Sequence, residues 1–403
     1  MASRISSDIN QDVYLDIAMA LWSWDLSQPC NERRPHACIH QRCIGGRIPQ
    51  LQRYFAYYKA IVSTYMDATS ATTRRIKTHG DLFHIISILK TNPDATLLEL
   101  CRLIDQSTGS QTADGTRAVD AVALGVKTLL MVDPSALHHS SDRLEKGTYR
   151  IHWKEDVPFS KYIQDSFPLG NHSILSYDNS ESFADVKKEL KAVNLKKRLG
   201  ITIRATSDIR NHLHFDRKNN YLEVYHYTSF LKEQLRVTRD VGDCSSPSSS
   251  LKRGVLPRQL VLEVLDSLQG TLFPLSDPRS KKLLRSLISK CSFDPDILNF
   301  EVSSVRRVGE ESVPYVYLAD RLADLYNELQ TPRPRGWFQQ SMQRKSGARH
   351  VMLATLIGVI FAVLLGIASL AIKCFSMFSR FAHKLIPFTV WKTSIIEKGS
   401  ILA

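Results

Sequence analysis

Apolar residues along most of the chain recur at intervals of three and four, the spacing that gathers them on one side of an α-helix. Val13, Ile17, Leu21 and Trp24 share one such face, and Leu51, Tyr54, Phe55, Tyr58, Ile61, Val62 and Tyr65 form a denser stripe. An aromatic stripe at helical spacing reads as packed core rather than as a cofactor box. Leu82, Ile85, Ile86 and Leu89 continue the pattern. Thr96 and Glu99 form a capping box that opens a helix through Leu97, Leu100 and Ile104, and a further helix is expected over 119–132. The stretch 136–182 is polar and reads as loop. A helix over 184–199 follows, with Val186, Leu190 and Val193 inward and Gly200 as its stop.

The period then changes from 3.6 to 2. Ile201 and Ile203 alternate as a short strand, and HLHFDRKNNYLEVYH reads as a β-hairpin turning at 217–220, where Asn suits a left-handed position. Pairing Asp216 with Tyr221 sets Phe215 against Leu222 and Leu213 against Val224, so the apolar residues fall on one face. CSSPSSS, within 241–256, has the composition of a linker and offers phosphorylatable serines. Helical spacing returns over 257–331. Leu260, Val261, Val264, Leu265 and Leu268 form a stripe, and Asp277-Pro278 opens a helix carrying Leu283, Leu284, Leu287 and Ile288. Leu318, Leu322, Leu325 and Leu329 close the series before PRPRG.

One run has no polar face at all. Residues 351–372 are 22 uncharged, apolar positions flanked by Arg349 and Lys373. As a helix they span about 33 Å, close to the hydrocarbon thickness of a bilayer. The expected fold class is therefore mainly α with a small β-hairpin element (α+β) plus one C-terminal transmembrane helix. The expected organisation is an N-terminal helical region (1–135), the polar loop region (136–182), a helix-plus-hairpin module (183–240), the linker (241–256) and a second helical region (257–331). A basic juxtamembrane segment (332–349), the span and a basic tail (373–403) complete it.

Charge sharpens this division. The 403 residues carry 53 Lys and Arg against 40 Asp and Glu, a formal net charge of +13 that by itself suggests nucleic acid. From 331 onward there are ten basic residues and only Glu397 as an acid, so +9 of the excess surrounds the span. The expected partner is membrane lipid, through anionic headgroups, and not nucleic acid. Ala354, Gly358, Ala362 and Gly366 recur every fourth position, a ridge of small residues through which two such helices can approach as a homodimer. Asp12, Asp16 and Asp25 interrupt any signal-like apolar stretch near the N-terminus, so the N-terminal part is expected in the cytosol, with the organelle open. Its cysteines are then reduced, and the sequon at Asn171 matters only if this part is lumenal.

Three constellations carry candidate chemistry. The hairpin register places His212 and His214 on its non-apolar face with Glu223 across from His214, the ligand types of a facial-triad or zinc site. The plainer reading is a polar hairpin face with a His–Glu pair. Cys30, His36, Cys38, His40 and Cys43 have zinc-ligand chemistry at spacings unlike the usual zinc motifs. Helices over 82–90 and 96–104 resemble the opening of a helix-turn-helix, but Glu99 and Asp105 beside Arg102 disfavour a phosphate backbone. No nucleophile elbow, phosphate loop, dinucleotide fingerprint, metalloprotease or kinase motif occurs, so no catalytic residue and no cofactor is assigned.

The stretches LFHIISILKTNPDAT, DIRNHLHFDRKNNYLEVYHYTSFLKEQL, LPRQLVLEVLDSLQGTLFPLSDPRS and ADRLADLYNELQTPRPRGWFQQSMQRKSGARHVMLATLIGVIFAVLLGIASLA resemble a family of uncharacterised proteins of filamentous fungi. The resemblance covers most of the chain and implies a membrane-anchored architecture without established catalytic residues. After Lys373 the chain departs from the shorter Trp-containing tail that the family implies. The expected function is a non-enzymatic interaction or scaffold protein at a membrane. The alternatives are an accessory protein or metal-dependent enzyme associated with fungal secondary metabolism, and a DNA-binding regulator.

Overall fold

The computed structural model describes residues 11–24, 44–69, 74–107, 115–134, 152–170, 180–240, 246–300, 305–310, 312–332 and 355–378. The chain divides into two units, 1–332 and 333–403.

The first unit is mainly helical around a small sheet. It opens with α1 (Gln11–Trp22), the single turn α2 (Ile44–Arg47) and α3 (Gln52–Ala68). α4 (His79–Thr91), α5 (Leu97–Ser107) and α6 (Gly115–Leu130) follow and pack on one another. The stripes foreseen on α1, α3 and α4 are buried, apart from half-buried Ile61. α3 is tied inward by its aromatic polar tips: Tyr54 Oη donates to Thr128 O at 2.7 Å, and Tyr58 Oη meets His79 Nδ1 at 2.7 Å. Gly125 sets the approach of α6 to α4. A methyl group there would stand 2.9 Å from Ile85 Cγ2 and 3.0 Å from Leu89 Cδ1.

Within the polar stretch read as loop, residues 159–166 form a helix, α7 (Phe159–Ser166). Too short to show a period, it is held by aromatic stacking of Trp153 on Phe159 and Tyr162, at centroid distances of 5.2 and 5.0 Å. The helix expected over 184–199 is two, α8 (Ser180–Glu189) and α9 (Ala192–Leu199). The break at Leu190–Lys191 rephases the second piece, so Ala192, Leu195 and Leu199 face inward and Val193 is half-buried. Gly200 ends α9 in the left-handed region at φ 66°.

The sheet comprises β1 (Thr202–Thr206), β2 (His214–Asp216) and β3 (Tyr221–Tyr225), with β3 central, parallel to β1 and antiparallel to β2. The hairpin register pairs Asp216 with Tyr221, Phe215 with Leu222 and His214 with Glu223, as the alternation of apolar residues requires. α10 (Thr228–Val237) leads to α11 (Pro247–Lys252). α11 lies inside the stretch expected as linker. Ser246 caps it by accepting from Ser249 N, and Pro247 takes its first position, so the Ser/Pro composition marks a helix start. α12 (Arg258–Asp266) passes without interruption into a π-helical turn (Ser267–Leu272). α13 (Pro278–Cys291), capped by Asp277, and α14 (Ala319–Gln330) complete the unit. One contiguous apolar core draws on every helix of the unit except α2 and on all three strands.

Buried charge is organised around α10. Asp294 Oδ2 accepts from Ser229 N and Ser229 Oγ at 3.0 and 2.7 Å, a cap supplied from 65 residues away. Lys232 Nζ pairs with Asp296 Oδ2 at 2.7 Å, with both side chains 1% exposed. Glu233 takes Trp24 Nε1 at 3.2 Å together with the guanidinium groups of Arg47 and Arg236.

The second unit contains α15 (Thr355–Phe378), 24 residues long and exposed throughout. It continues past the expected end of the apolar run, through Lys373 to Phe378.

Removing one partner of a dry ion pair leaves a buried charge uncompensated, which costs about 3–5 kcal/mol. Lys232→Met is therefore expected to lower unfolding stability by that amount in chemical denaturation. Lys232→Met combined with Asp296→Leu is expected to recover at least half of the loss.

Candidate functional site

α12 carries two stripes. Leu260, Val261, Val264 and Leu265 serve the apolar core, while Gln259, Glu263 and Asp266, spaced four and three apart, lie on one other face. That second face is covered by the segment before α14. Gln259 Nε2 donates to Pro314 O at 2.6 Å and to Glu263 Oε1 at 3.0 Å. Glu263 then accepts from three consecutive backbone N–H groups, those of Val316, Tyr317 and Leu318, at 2.7, 2.8 and 2.9 Å. Successive N–H groups converging in this way form an anion-binding nest, and here the chain fills it with its own carboxylate. Burial pushes the Glu263 carboxyl above its ordinary value, and the backbone and Gln259 hydrogen bonds oppose that rise.

The same face continues with Asp266, whose Oδ2 accepts from Tyr315 Oη and Lys187 Nζ, each at 2.7 Å. Arg306 stands 3.6 Å from the other oxygen. Arg258, at the start of α12, donates to Leu235 O, Thr238 Oγ1 and Val305 O and forks onto Glu310. In the π turn, Phe273 N reaches back to Leu268 O at 2.8 Å. The turn directs Gln269 to Ile297 O and Asn299 O, Thr271 to Tyr315 Oη, and Ser267 to His212.

The Ser267–His212 pair has the outline of a nucleophile and base, and its proton inventory excludes that role. His212 Nδ1 accepts from Tyr225 N at 3.2 Å, so the ring proton sits on Nε2 and points at Ser267 Oγ, 2.7 Å away. The serine hydroxyl in turn donates to Val264 O at 2.7 Å. An imidazole that donates to a serine cannot take that serine's proton. Burial and the nearby Arg321 charge hold the His212 pKa down to about 3.

The two hairpin histidines do not share a surface. Leu213 has φ 61°, in the left-handed region, and this breaks the alternation between them. His212 is buried with both ring nitrogens engaged, while half-buried His214 pairs with Glu223 at 3.3 Å, the plainer arrangement that cross-strand pairing offers. The three proposed ligands are therefore not brought together, and among the described residues no group of three or more His, Cys, Asp or Glu is placed to hold a metal. Cys30, His36, Cys38, His40, Cys43, Asn171 and Ala354 lie outside the described residues. The helix-turn-helix candidate, α4 with α5, packs into the helical core against α6. Gly358, Ala362 and Gly366 lie on exposed α15, and a methyl group on either glycine would meet nothing within 4 Å.

An open cleft of about 390 Å³ lies between α1, α4 and α11, lined by Met19, Ser23, Phe83, Ser87, Lys90 and Lys252. Lys90 Nζ is already committed to Ala20 O and Leu21 O at the end of α1, at 3.1 and 3.4 Å. The polar stripe on α12 was missed from sequence although its signal is there, as Gln259, Glu263 and Asp266 interrupt an apolar run at helical spacing. No family model, no curated protein and no solved structure matches the chain.

The buried imidazoles set a pH dependence. His212 and His226 are both held at about 3 by burial, aided by Arg321 and Arg53 respectively, whereas an unfolded histidine titrates near 6.5. As pH falls below 6.5 the unfolded chain takes up protons that the folded one refuses, so stability falls by up to about 1.4 kcal/mol per unit per group. Asp294 acts in the opposite sense: burial and the Asp296 charge raise it to about 6, so its contribution grows as pH falls through 6 towards 4. Glu263, also raised by burial, adds to the Asp294 side and His79, lowered by burial, adds to the imidazole side. The two large imidazole shifts dominate, and stability is expected to drop by about 2–4 kcal/mol between pH 6.5 and 4.5. Denaturation at stepped pH checks this, and a flat or rising profile contradicts the burial of neutral imidazoles.

Proposed function

We propose that the chain is a membrane-anchored, non-enzymatic interaction protein, with a helical unit held at a membrane by a single C-terminal span. The observation that carries this reading is α15, a 24-residue helix that is uncharged from Thr355 to Ile372 and has no side covered. A core helix of a soluble protein is mostly buried, and this helix is exposed along its whole length. At 1.5 Å per residue it reaches about 36 Å, enough for the hydrocarbon layer and part of an interface. The basic residues on both sides of it suit anionic headgroups.

A scaffold role is supported by the commitments inside the first unit. The groups that resemble chemistry, His212, Ser267, Glu263 and Asp266, spend their hydrogen-bonding capacity on backbone and neighbouring side chains. The cytosolic side is the orientation we assign to this unit. The ridge through Gly358, Ala362 and Gly366 is the face on which we place self-association of the span.

Alkaline carbonate extraction tests the anchor. The intact chain is expected in the membrane pellet, and Val363→Asp, Leu364→Asp and Ile367→Asp together, each costing about 2.5–3.5 kcal/mol at mid-membrane, are expected to release it. Release of the intact chain removes the reading. Asn171 reports orientation: an unmodified sequon is expected in cells, and a glycan there would place the unit in the lumen. In a membrane dimerisation assay Gly358→Ile is expected to reduce association of the span at least fivefold, and unchanged association eliminates the ridge.

A further inference from the structure

Two adjoining helices carry eight of the 43 basic residues in the first 330 and no acid. α9 carries Lys196, Lys197 and Arg198, α13 carries Arg279, Lys281, Lys282, Arg285 and Lys290, and neither contains an Asp or Glu. The two helices pack against each other, and Lys191 at the start of α9 stands 3.9 Å from Asp277, the cap of α13. All eight basic residues are exposed. Arg198 pairs with Glu189 at 3.3 Å and Arg279 neighbours Asp277. Lys196, Lys197, Lys281, Lys282, Arg285 and Lys290 have no carboxylate within ion-pair distance among the described residues. Of the 43 basic residues in the first 330, these eight account for more than the whole excess: without them the stretch holds 35 basic against 39 acidic residues. The rest of the unit is net negative.

We infer that the α9–α13 face is a docking surface for an anionic lipid bilayer, so that the first unit lies on a membrane as well as being tethered to one. This rests on the anchor reading, which makes a bilayer the extended surface that the unit meets at high effective concentration. The chemistry of the face suits headgroups. It is mainly lysine, a hydrated point charge on a flexible stem, rather than the arginine forks that read bases and phosphates in fixed geometry. The charges on α13 follow helical spacing, with Lys281, Lys282 and Arg285 outward while Leu284 and Leu287 stay buried in the core. With its apolar side already spent, α13 lies against the headgroup layer without inserting. Binding is then electrostatic, graded by the anionic lipid fraction and reversed by salt.

The test uses the full chain carrying Val363→Asp, Leu364→Asp and Ile367→Asp, floated with vesicles of neutral phosphatidylcholine with and without 30 mol % phosphatidylserine (the fraction a design choice of about physiological order). Lys281→Glu, Lys282→Glu and Arg285→Glu are expected to weaken binding to the anionic vesicles at least tenfold in about 0.1 M salt. A control with the same change in net charge, Lys59→Glu, Lys77→Glu and Arg102→Glu, is expected to change it less than threefold. The difference between the two triples should vanish at about 0.5 M salt. Equal effects of the triples overturn the inference, and so does binding to random-sequence duplex DNA that is weakened by the α13 triple while vesicle binding is not. As a second measurement, the intact chain in nanodiscs should show Lys281 and Lys282 at least fivefold slower to acetylate in anionic than in neutral lipid, and equal rates contradict docking. An intact chain that resists carbonate but shows equal triples loses the docking face and keeps the anchor. One that carbonate releases loses the anchor reading itself.

Discussion

The carboxylate of Glu263 is the point on which the C-terminal half of the first unit turns. It is buried on α12 and accepts from the N–H groups of Val316, Tyr317 and Leu318, while Gln259 one turn earlier holds both the carboxylate and Pro314 O. A backbone donor withdrawn from water without a partner costs up to about 1–3 kcal/mol, so three part-buried to buried donors served by one carboxyl group tie the seating of this segment to a single side chain. α14 begins at Ala319, immediately after the last of these donors, and packs its leucines on the core from there. Asp266 and Arg258 extend the grip along α12 to Tyr315 and Glu310. The segment that leads into α14, the last helix of the unit, is therefore seated by polar contacts to α12.

The same economy runs through the other polar groups of α12 and the π turn. In the α12 hub the hydrogen bonds close on one another: Tyr225 N–H fixes the His212 tautomer, His212 donates to Ser267, and Ser267 donates to Val264 O. The π turn, a feature often found at functional sites, here supplies the extra residue that lets Ser267, Gln269 and Thr271 reach three different partners. α9 and α13 add an exposed basic surface to a unit whose other residues are net acidic.

Much of this architecture is legible in the sequence wherever periodicity is long or a cap is local. The stripes of α1, α3, α4 and α14, the Thr96–Glu99 box, the Asp277 cap and the β2–β3 register all follow from spacing and local hydrogen bonding. The short helices α7 and α11 fall in stretches whose composition reads as loop and linker, because six to eight residues give too little period, and aromatic stacking and a serine cap decide them instead. The candidate histidine pair failed on one residue. Strict alternation assumes extended backbone throughout, and Leu213 adopts a positive φ that sends His212 into the core. The Glu263 nest was hidden for a different reason: its partners are backbone groups more than fifty residues away, and no side-chain pattern marks them.

Native-state hydrogen exchange at Val316, Tyr317 and Leu318 tests the Glu263 clamp most directly. In the wild-type chain these three amides are expected to exchange only through global unfolding, with protection matching that of the α12 core. In Glu263→Ala all three should lose at least a hundredfold in protection relative to that core, and the first turn of α14 should loosen with them. Unchanged protection in the variant would show that the segment is held by packing alone and would contradict the central role of the buried carboxylate.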